Sequence, residues 1–384
     1  MLPLTIWMNM PSFHQDDLFT RLAESGEIDL RVVFAKELTT ERVRLGWNAG
    51  RRQYEHRTLG SRYVVVEAAR LACRERERVH VVNGIWAEPA FAAALVALKR
   101  LGSRFIIYSE APEDVRPRSV VKRRLRAAFG QSSVRGAAGV LAVSHFAMDF
   151  YRELGCAEDR LYPFGYFRAA PQAISISQST DMARTEIVFA GQLIRRKGVD
   201  VLLDALRPLF AKYANLHLTL IGDGEARAAM AAQVDACGLH QHITFTCALP
   251  AAEAQRRMAA ADLLVLPSRW DGWGMVINEA LASGVPVIAS DACGASDLIR
   301  QGTNGYVFPS GDAGGLRDCL REFCNQSHGE RAAMRRAARA TGETIAADRA
   351  ARYLIDCLKH ATGVSAERPR APWLEPARIE ATGH

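Results

Sequence analysis

Short runs rich in valine, isoleucine and phenylalanine alternate along this chain with longer stretches whose apolar residues return every three or four positions. Runs of the first kind read as strands and stretches of the second kind as helices. In the first half the strand-like runs are "LTIWMNM", "LRVVFA", "RVHVVNG", "SRFIIYS" and "GVLAVS", with helical patterns such as "DDLFTRLAESG" and "EPAFAAALVALKRLG" between them. Near residue 168 the pattern stops. "RAAPQAISISQSTDMART" is small and polar and reads as a linker. A second series follows: "TEIVFAG", "LHLTLIGDG", "ITFTCA", "DLLVLPS" and "PVIASD", again with helices between. Strand–helix alternation predicts an α/β protein of two doubly wound parallel sheets, each binding ligands at its strand C-terminal ends. The expected boundaries are a first domain over 1–168, a linker over 169–184 and a second domain over 185–342. A final helix over 343–362 is expected to pack back on the first domain, ahead of a disordered tail over 363–384.

Composition narrows the class. A length of 384 residues suits two domains, and 49% hydrophobic with 24% charged residues is a globular balance. No apolar run has the length of a membrane span, and "LPLTIWMNM" lacks a basic flank and a cleavage site, so a cytoplasmic protein without a signal peptide is expected. Eight scattered cysteines form no C-x-x-C pair and read as reduced thiols, with no metal site. The net charge of +7 points to an anionic partner.

Three segments carry candidate chemistry. In "FAGQLIRRKGVDVLLDAL" a strand ends at Gly191, and Arg195, Arg196 and Lys197 precede a helix. Cations at such a crossover, beside free backbone N–H groups, suit a phosphate. "LIGDGEAR" places Gly222 and Gly224 after a strand, without the third glycine of a dinucleotide fingerprint. In "SRWDGWGMVINEALASGVPVIASD", Asp271 and Glu279 flank Gly272, Trp273 and Gly274. The glycines lack a Cβ and let the backbone approach a ligand. The helix after Gly274 begins with unpaired N–H groups that suit phosphate oxygens. Glu279 is placed to accept hydrogen bonds from ribose hydroxyls, and Asp271 to reach sugar hydroxyls.

Together the segments resemble glycosyltransferase family 4, the retaining nucleotide-sugar enzymes of GT-B fold. The resemblance runs over about 186–320. The family's G-x-L-x-x-x-K-G, G-x-G, A-D-x-x-x-x-P-S and E-G-F-G-x-x-x-x-E-A-x-A-x-G-x-P-V appear here as "GQLIRRKG", "IGDG", "ADLLVLPS" and "DGWGMVINEALASGVPV". "AVSHFAMDFYRELG" resembles the family's last segment before the domain crossing. The resemblance implies that Lys197 contacts the donor diphosphate, Glu279 holds the ribose and Asp271 faces the donor sugar. The backbone of Gly274, Met275 and Val276 would cradle oxygens, and the strand end at Cys247 and Ala248 would lie beside the base. It also implies two Rossmann-like domains facing a cleft.

The sequence departs from the family at several points. Gln192 stands where arginine is usual, leaving Arg195 or Arg196 to supply the charge; Asp271 replaces glutamate and Trp273 replaces phenylalanine. The first loop, "MPSFHQDDLF", is not glycine-rich, and "FIIYSEAPED" lacks the family's histidine, so Ser109 or Glu110 takes that place. Glu110 is the catalytic candidate of the first domain, and His14 is an acceptor-side candidate.

The implied reaction moves a sugar from a UDP- or GDP-sugar to an acceptor hydroxyl with retention, without a metal or other cofactor. Residues 115–148 contain no acid, and Arg116, Arg118, Lys122, Arg123, Arg124, Arg126 and Arg135 give seven positive charges. With Val121, Leu125 and Phe129 at helical spacing, this segment reads as a basic amphipathic helix, and an anionic membrane surface and a lipid-linked glycan acceptor of envelope or exopolysaccharide assembly are expected. A helix packed on the sheet with a solvated basic side remains the plainer reading. No aromatic platform accompanies the charge, so nucleic acid is not an expected partner. A transferase for a soluble acceptor, a sugar-nucleotide epimerase and a noncatalytic nucleotide-sugar-binding partner stay open.

Overall fold

The computed structural model describes residues 1–40, 52–60, 63–86, 88–112, 120–168 and 184–374, with the backbone alone at 13, 14 and 120–123. The chain divides into two compact units. The first comprises Met1–Ala169 with Ala347–Pro372, and the second contains Ala170–Ala346.

Unit 1 is built on β1 (Leu2–Met8), β2 (Ile28–Phe34), β3 (Glu55–Thr58), β4 (Val79–Asn83), β5 (Phe105–Glu110), β6 (Gly139–Val143) and β7 (Leu161–Phe164). They form one sheet in the order β3-β2-β1-β4-β5-β6-β7, with every pair parallel. Parallel neighbours require crossovers, and five of these carry a helix among the described residues. The helices are α1 (Phe13–Glu24), α2 (Val64–Arg74), α3 (Pro89–Arg100), α4 (Val120–Gly136) and α5 (His145–Glu153). Helices on both faces leave the inner strands no solvent side. Accordingly Gly139–Val143 is buried at every position. Trp7, Phe91, Phe105 and Tyr151 fill the core on one side.

One polar cluster is sealed inside unit 1. Trp7 Nε1 donates to His80 Nδ1 at 3.1 Å, and His80 Nε2 lies 3.1 Å from the Glu75 carbonyl. An indole N–H only donates, so Nδ1 must accept and Nε2 must carry the proton. His80 is therefore neutral, and burial lowers its pKa to about 4.

Unit 2 carries β8 (Thr185–Ala190), β9 (Leu216–Ile221), β10 (Ile243–Phe245), β11 (Leu263–Leu266), β12 (Val287–Ser290) and β13 (Gly305–Phe308). Their order is β10-β9-β8-β11-β12-β13, again all parallel. The helices are α6 (Val199–Lys212), α7 (Arg227–Ala236), α8 (Ala251–Ala260), α9 (Met275–Ala282), α10 (Ala313–Asn325) and α11 (His328–Thr344).

The segment expected as one helix over 343–362 is the end of α11 followed by a separate helix, α12 (Ala347–Ala361). α12 belongs to unit 1, where Lys359 Nζ meets Glu27 at 2.6 Å. The linker expected over 169–184 lies outside the described residues except for Arg184. The tail expected to be disordered from 363 is held further than that. Arg368 donates to the Leu161 carbonyl at 2.6 Å, and Ala371 is buried. Arginine supplies a backbone acceptor with its partner at an edge strand, which the proline-rich composition did not reveal.

Candidate active site

The chain of unit 2 leaves β8 towards β9 and β10, then returns across β8 to β11, β12 and β13. That reversal opens a crevice above β8 and β11, the place where open parallel sheets bind ligands. The loops after these two strands hold the residues singled out by the sequence.

After β8 the chain makes a tight turn over Arg195–Lys197 and enters α6 through Gly198, at φ 69°. A Cβ on Gly198 would stand 2.0 Å from the Pro267 carbonyl oxygen, so only glycine lets the two loops touch here. Arg269 locks the contact. Its guanidinium grips both Asp200 oxygens at 2.7 Å, and its backbone N–H donates to the Arg196 carbonyl at 2.8 Å. This fork holds the Asp200 carboxyl below its ordinary range. Arg196 Nη1 in turn donates to the Trp270 carbonyl at 2.8 Å. Arg196 thus anchors the facing loop, a duty separate from the phosphate contact expected of it.

The second loop is fixed from its other side. Asp271 N–H donates to Ala292 O at 2.9 Å, Gly294 N–H to Asp271 O at 3.0 Å and Ala295 N–H to Trp273 O at 2.7 Å. The Trp273 ring is buried and its Nε1 donates to Asn278 Oδ1 at 2.9 Å. Behind Asp271 lies Cys293, whose thiol burial pushes up to about 11, so it stays protonated near neutral pH.

Held by these ties, Lys197 Nζ donates to Asp271 Oδ2. The two side chains keep only 15% and 14% of their surface exposed. The sequence marked both residues but not their contact. An ammonium has three N–H donors, so Lys197 can hold Asp271 and still meet an anion.

α9 begins beside this pair. Its N-cap is Gly274, at φ 93° and without a side-chain cap. Met275, Val276, Glu279 and, at the far end, Ala282 are the half-buried positions of the helix, while Ile277, Asn278, Ala280 and Leu281 are buried. Met275 and Glu279 are one turn apart and share a face. The open face therefore presents the helix N–H groups and the Glu279 carboxylate together. Gly272 is half-buried in the same loop.

Further along the sheet, Gly191 N–H donates to Ile221 O and Gly222 N–H to Cys247 O, both at 2.9 Å. These bonds string the ends of β8, β9 and β10 together. Cys247 adopts φ 58°, and Ala248 beside it is exposed. Arg227 donates to Cys247 Sγ at 2.7 Å.

The first-domain candidates stand in unit 1. Glu110 ends β5 and accepts from Tyr166 Oη at 2.6 Å. Ser109 Oγ donates to the Glu110 carbonyl at 2.8 Å. His14 falls in α1, and its side chain lies outside the described residues. Arg116 and Arg118 lie outside them altogether, as do the side chains of Val121, Lys122 and Arg123.

Residues 173–341 match the model of the family described as glycosyl transferases group 1. This segment is a group 1 glycosyltransferase domain. Among curated relatives, the phosphatidyl-myo-inositol mannosyltransferase of Mycobacterium leprae is 34% identical over 126 residues, 33% of each chain. The alpha-D-kanosaminyltransferase of Streptomyces kanamyceticus is 30% identical over 126 residues, also 33% of each chain. The matched segment spans about a third of the length of these relatives. Among solved structures, Anabaena HepE in complex with UDP superposes with a TM-score of 0.72 at 16% identity, covering 94% of this chain and 100% of its own. A Rickettsia africae glycosyltransferase gives 0.74 at 14% identity, covering 95% and 100%. At such identity the likeness speaks for the fold, two Rossmann-like parallel-sheet units of the GT-B class. Among the described residues no helix is long and apolar enough to cross a membrane.

Proposed function

We propose that this chain is a retaining glycosyltransferase that moves a sugar from a nucleoside diphosphate sugar to an acceptor hydroxyl. The observation that carries the reading is the Lys197–Asp271 pair at the crevice of unit 2, beside the uncapped N-terminus of α9. A diphosphate leaving group brings concentrated negative charge, and Lys197 with the α9 N–H groups can meet it without a metal. Glu279 would accept from the ribose hydroxyls one turn further on. The bond between the anomeric carbon and the phosphate oxygen breaks, and its electron pair leaves with the nucleoside diphosphate. The acceptor oxygen adds on the same face, and its proton passes to the departing phosphate oxygen. Asp271 holds the sugar and favours the positive charge that grows on it.

The UDP bound by the Anabaena neighbour supports a nucleotide donor, with UDP- and GDP-sugars as the candidates. The phosphatidyl-myo-inositol in the name of the Mycobacterium leprae relative supports a lipid-linked acceptor, taken up at a membrane surface. Leu125, 66% exposed on α4, agrees with that surface. The test is a thermal-shift screen of UDP, GDP and ADP, followed by nucleoside diphosphate release from the matching sugars and NMR of the product's anomeric proton. A ligand at 100 times its dissociation constant should stabilise by about 2.7 kcal/mol. No shift with any of the three would end the donor reading, and an inverted anomer would end retention.

A further inference from the structure

The last turn of α11 meets the far end of α9 more closely than side chains allow. A Cβ on Gly342 would lie 2.5 Å from Ala282 Cα, 2.6 Å from Ala282 N and 2.7 Å from Leu281 O. All three are backbone atoms, which cannot swing away. Ordinary carbon contacts are about 3.5–4.0 Å, so any residue larger than glycine would force the two helices apart by about 1 Å. Arg339, three residues earlier, donates to the Ser283 carbonyl at the C-terminus of α9. Arg335, one turn before that, donates to Ala261 O at the C-terminus of α8 at 2.8 Å.

The same turn has a second tie to the site. Asn304, fully buried, donates to Thr341 Oγ1 at 3.0 Å and to Leu298 O at 2.9 Å. Leu298 closes the short turn Gly294–Leu298, whose first N–H bonds the Asp271 carbonyl. The end of α11 therefore supports both pieces of the crevice, α9 and the Asp271 loop.

α9 has only eight residues. Two turns of helix, about 12 Å, move as a rigid rod, so a displacement at Ala282 reappears at Met275. We propose that Gly342, with Arg339, is a positioning residue of the donor site: it sets the place of α9 and hence of the N–H groups and carboxylate that receive the nucleotide. This rests on the donor-site reading given above.

The experiment is calorimetric binding of UDP, GDP and ADP to the full chain, well below its melting temperature, for wild type, Gly342→Ala, Arg339→Lys and Val234→Ala. Val234 is buried in α7, away from these contacts, and matches a general loss of stability. Misplacement of a binding group by about 1 Å is costly, so Gly342→Ala should raise the dissociation constant about tenfold or more. Arg339→Lys keeps the charge but loses the planar fork, and should give a smaller rise in the same direction. Val234→Ala should bind like wild type. An unchanged constant in Gly342→Ala, or an equal rise in Val234→Ala, overturns the inference while leaving the donor reading intact. If Gly342→Ala does not fold, Arg339→Lys decides, and wild-type affinity there overturns the proposal. Failure of the wild-type chain to bind UDP, GDP and ADP alike removes the donor reading and this inference with it.

Discussion

Asp271 and Glu279 are eight residues apart in sequence and should fail in different ways. Glu279 is half-buried on α9, and on the proposed reading it holds the ribose, a part of the donor that does not react. Such an interaction is the same in ground and transition states, so Glu279→Gln should mainly raise the donor KM. On the proposed reading Asp271 faces the reacting sugar, and Asp271→Asn should then mainly lower kcat, on the order of 10²-fold. Steady-state kinetics with the productive donor distinguishes them; an Asp271→Asn enzyme with intact kcat and a raised KM would make the aspartate a binding residue only. A second residue has a consequence for stability rather than catalysis. His80 has an ordinary pKa of 6.5, lowered to about 4 by burial. Between those values the unfolded chain holds a proton that the folded chain refuses. Stability should therefore fall as pH drops through that window, by on the order of 3 kcal/mol in full. His80→Gln keeps an acceptor for Trp7 and a donor for Glu75 O but cannot titrate. Its melting temperature should vary less between pH 6.5 and 4 than that of wild type, and an unaltered slope would assign the effect to other groups.

α4 is the element for which sequence and structure divide most usefully. Val121, Leu125 and Phe129 have the spacing of one apolar stripe, but the structure parts the last two: Phe129 packs against the core while Leu125 stands exposed beside Arg124. Arg126 is drawn inward over the Trp86 ring, 4.8 Å from its centroid. If α4 meets an anionic bilayer, Arg124→Gln with Leu125→Ser should weaken sedimentation with anionic vesicles, since a basic residue near such a surface contributes about 1 kcal/mol. Equal sedimentation of variant and wild type would leave only a solvated helix. The strands teach the same lesson about context. Every inner strand is legible as a mostly apolar run, because both faces are buried. The three that escaped notice, β3, β7 and β13, all lie at sheet edges. β3 reads "EHRT" with three exposed positions, β7 contains Pro163 and β13 opens on Gly305. Edges tolerate charge, proline and short length, which erases the apolar signal. In the candidate site, Lys197, Asp271 and Glu279 stand out in the sequence by type and spacing, and the structure brings Lys197 and Asp271 into contact. The supports do not stand out: Arg269 on Asp200, and Gly342 under Ala282, act through distant backbone that no local pattern reveals.

At the scale of the whole molecule the chain crosses from unit 2 back to unit 1 between Thr344 and Ala347. Unit 1 is thus completed by residues that follow its strand β7 by about 180 positions in the sequence. α12 buries Tyr353, Leu354, Ile355, Cys357 and Leu358, together with three alanines. It is also pinned by polar contacts: Ala347 N–H to Arg168 O at 2.9 Å, Tyr353 Oη to Pro163 O at 3.1 Å and Tyr162 Oη with His360 Nδ1 at 2.7 Å. A fully buried large apolar side chain contributes about 1.5–3 kcal/mol, so α12 represents a large share of the stability of one domain. A chain ended after Ala346 keeps every strand of unit 2, the Lys197–Asp271 pair, α9 and the α11 contact at Gly342. It should melt in two steps. The first, that of unit 1, should fall well below its place in the full chain. The second should still rise when the matching nucleoside diphosphate is added, because binding stabilises only the unit that binds. Transfer to an acceptor should be lost while nucleotide affinity stays near that of the full chain. Differential scanning calorimetry with and without nucleotide reads both steps. Loss of the nucleotide-responsive step on truncation would mean that unit 2 does not stand by itself, and an unmoved first step would mean that α12 is an accessory to unit 1 rather than part of its core.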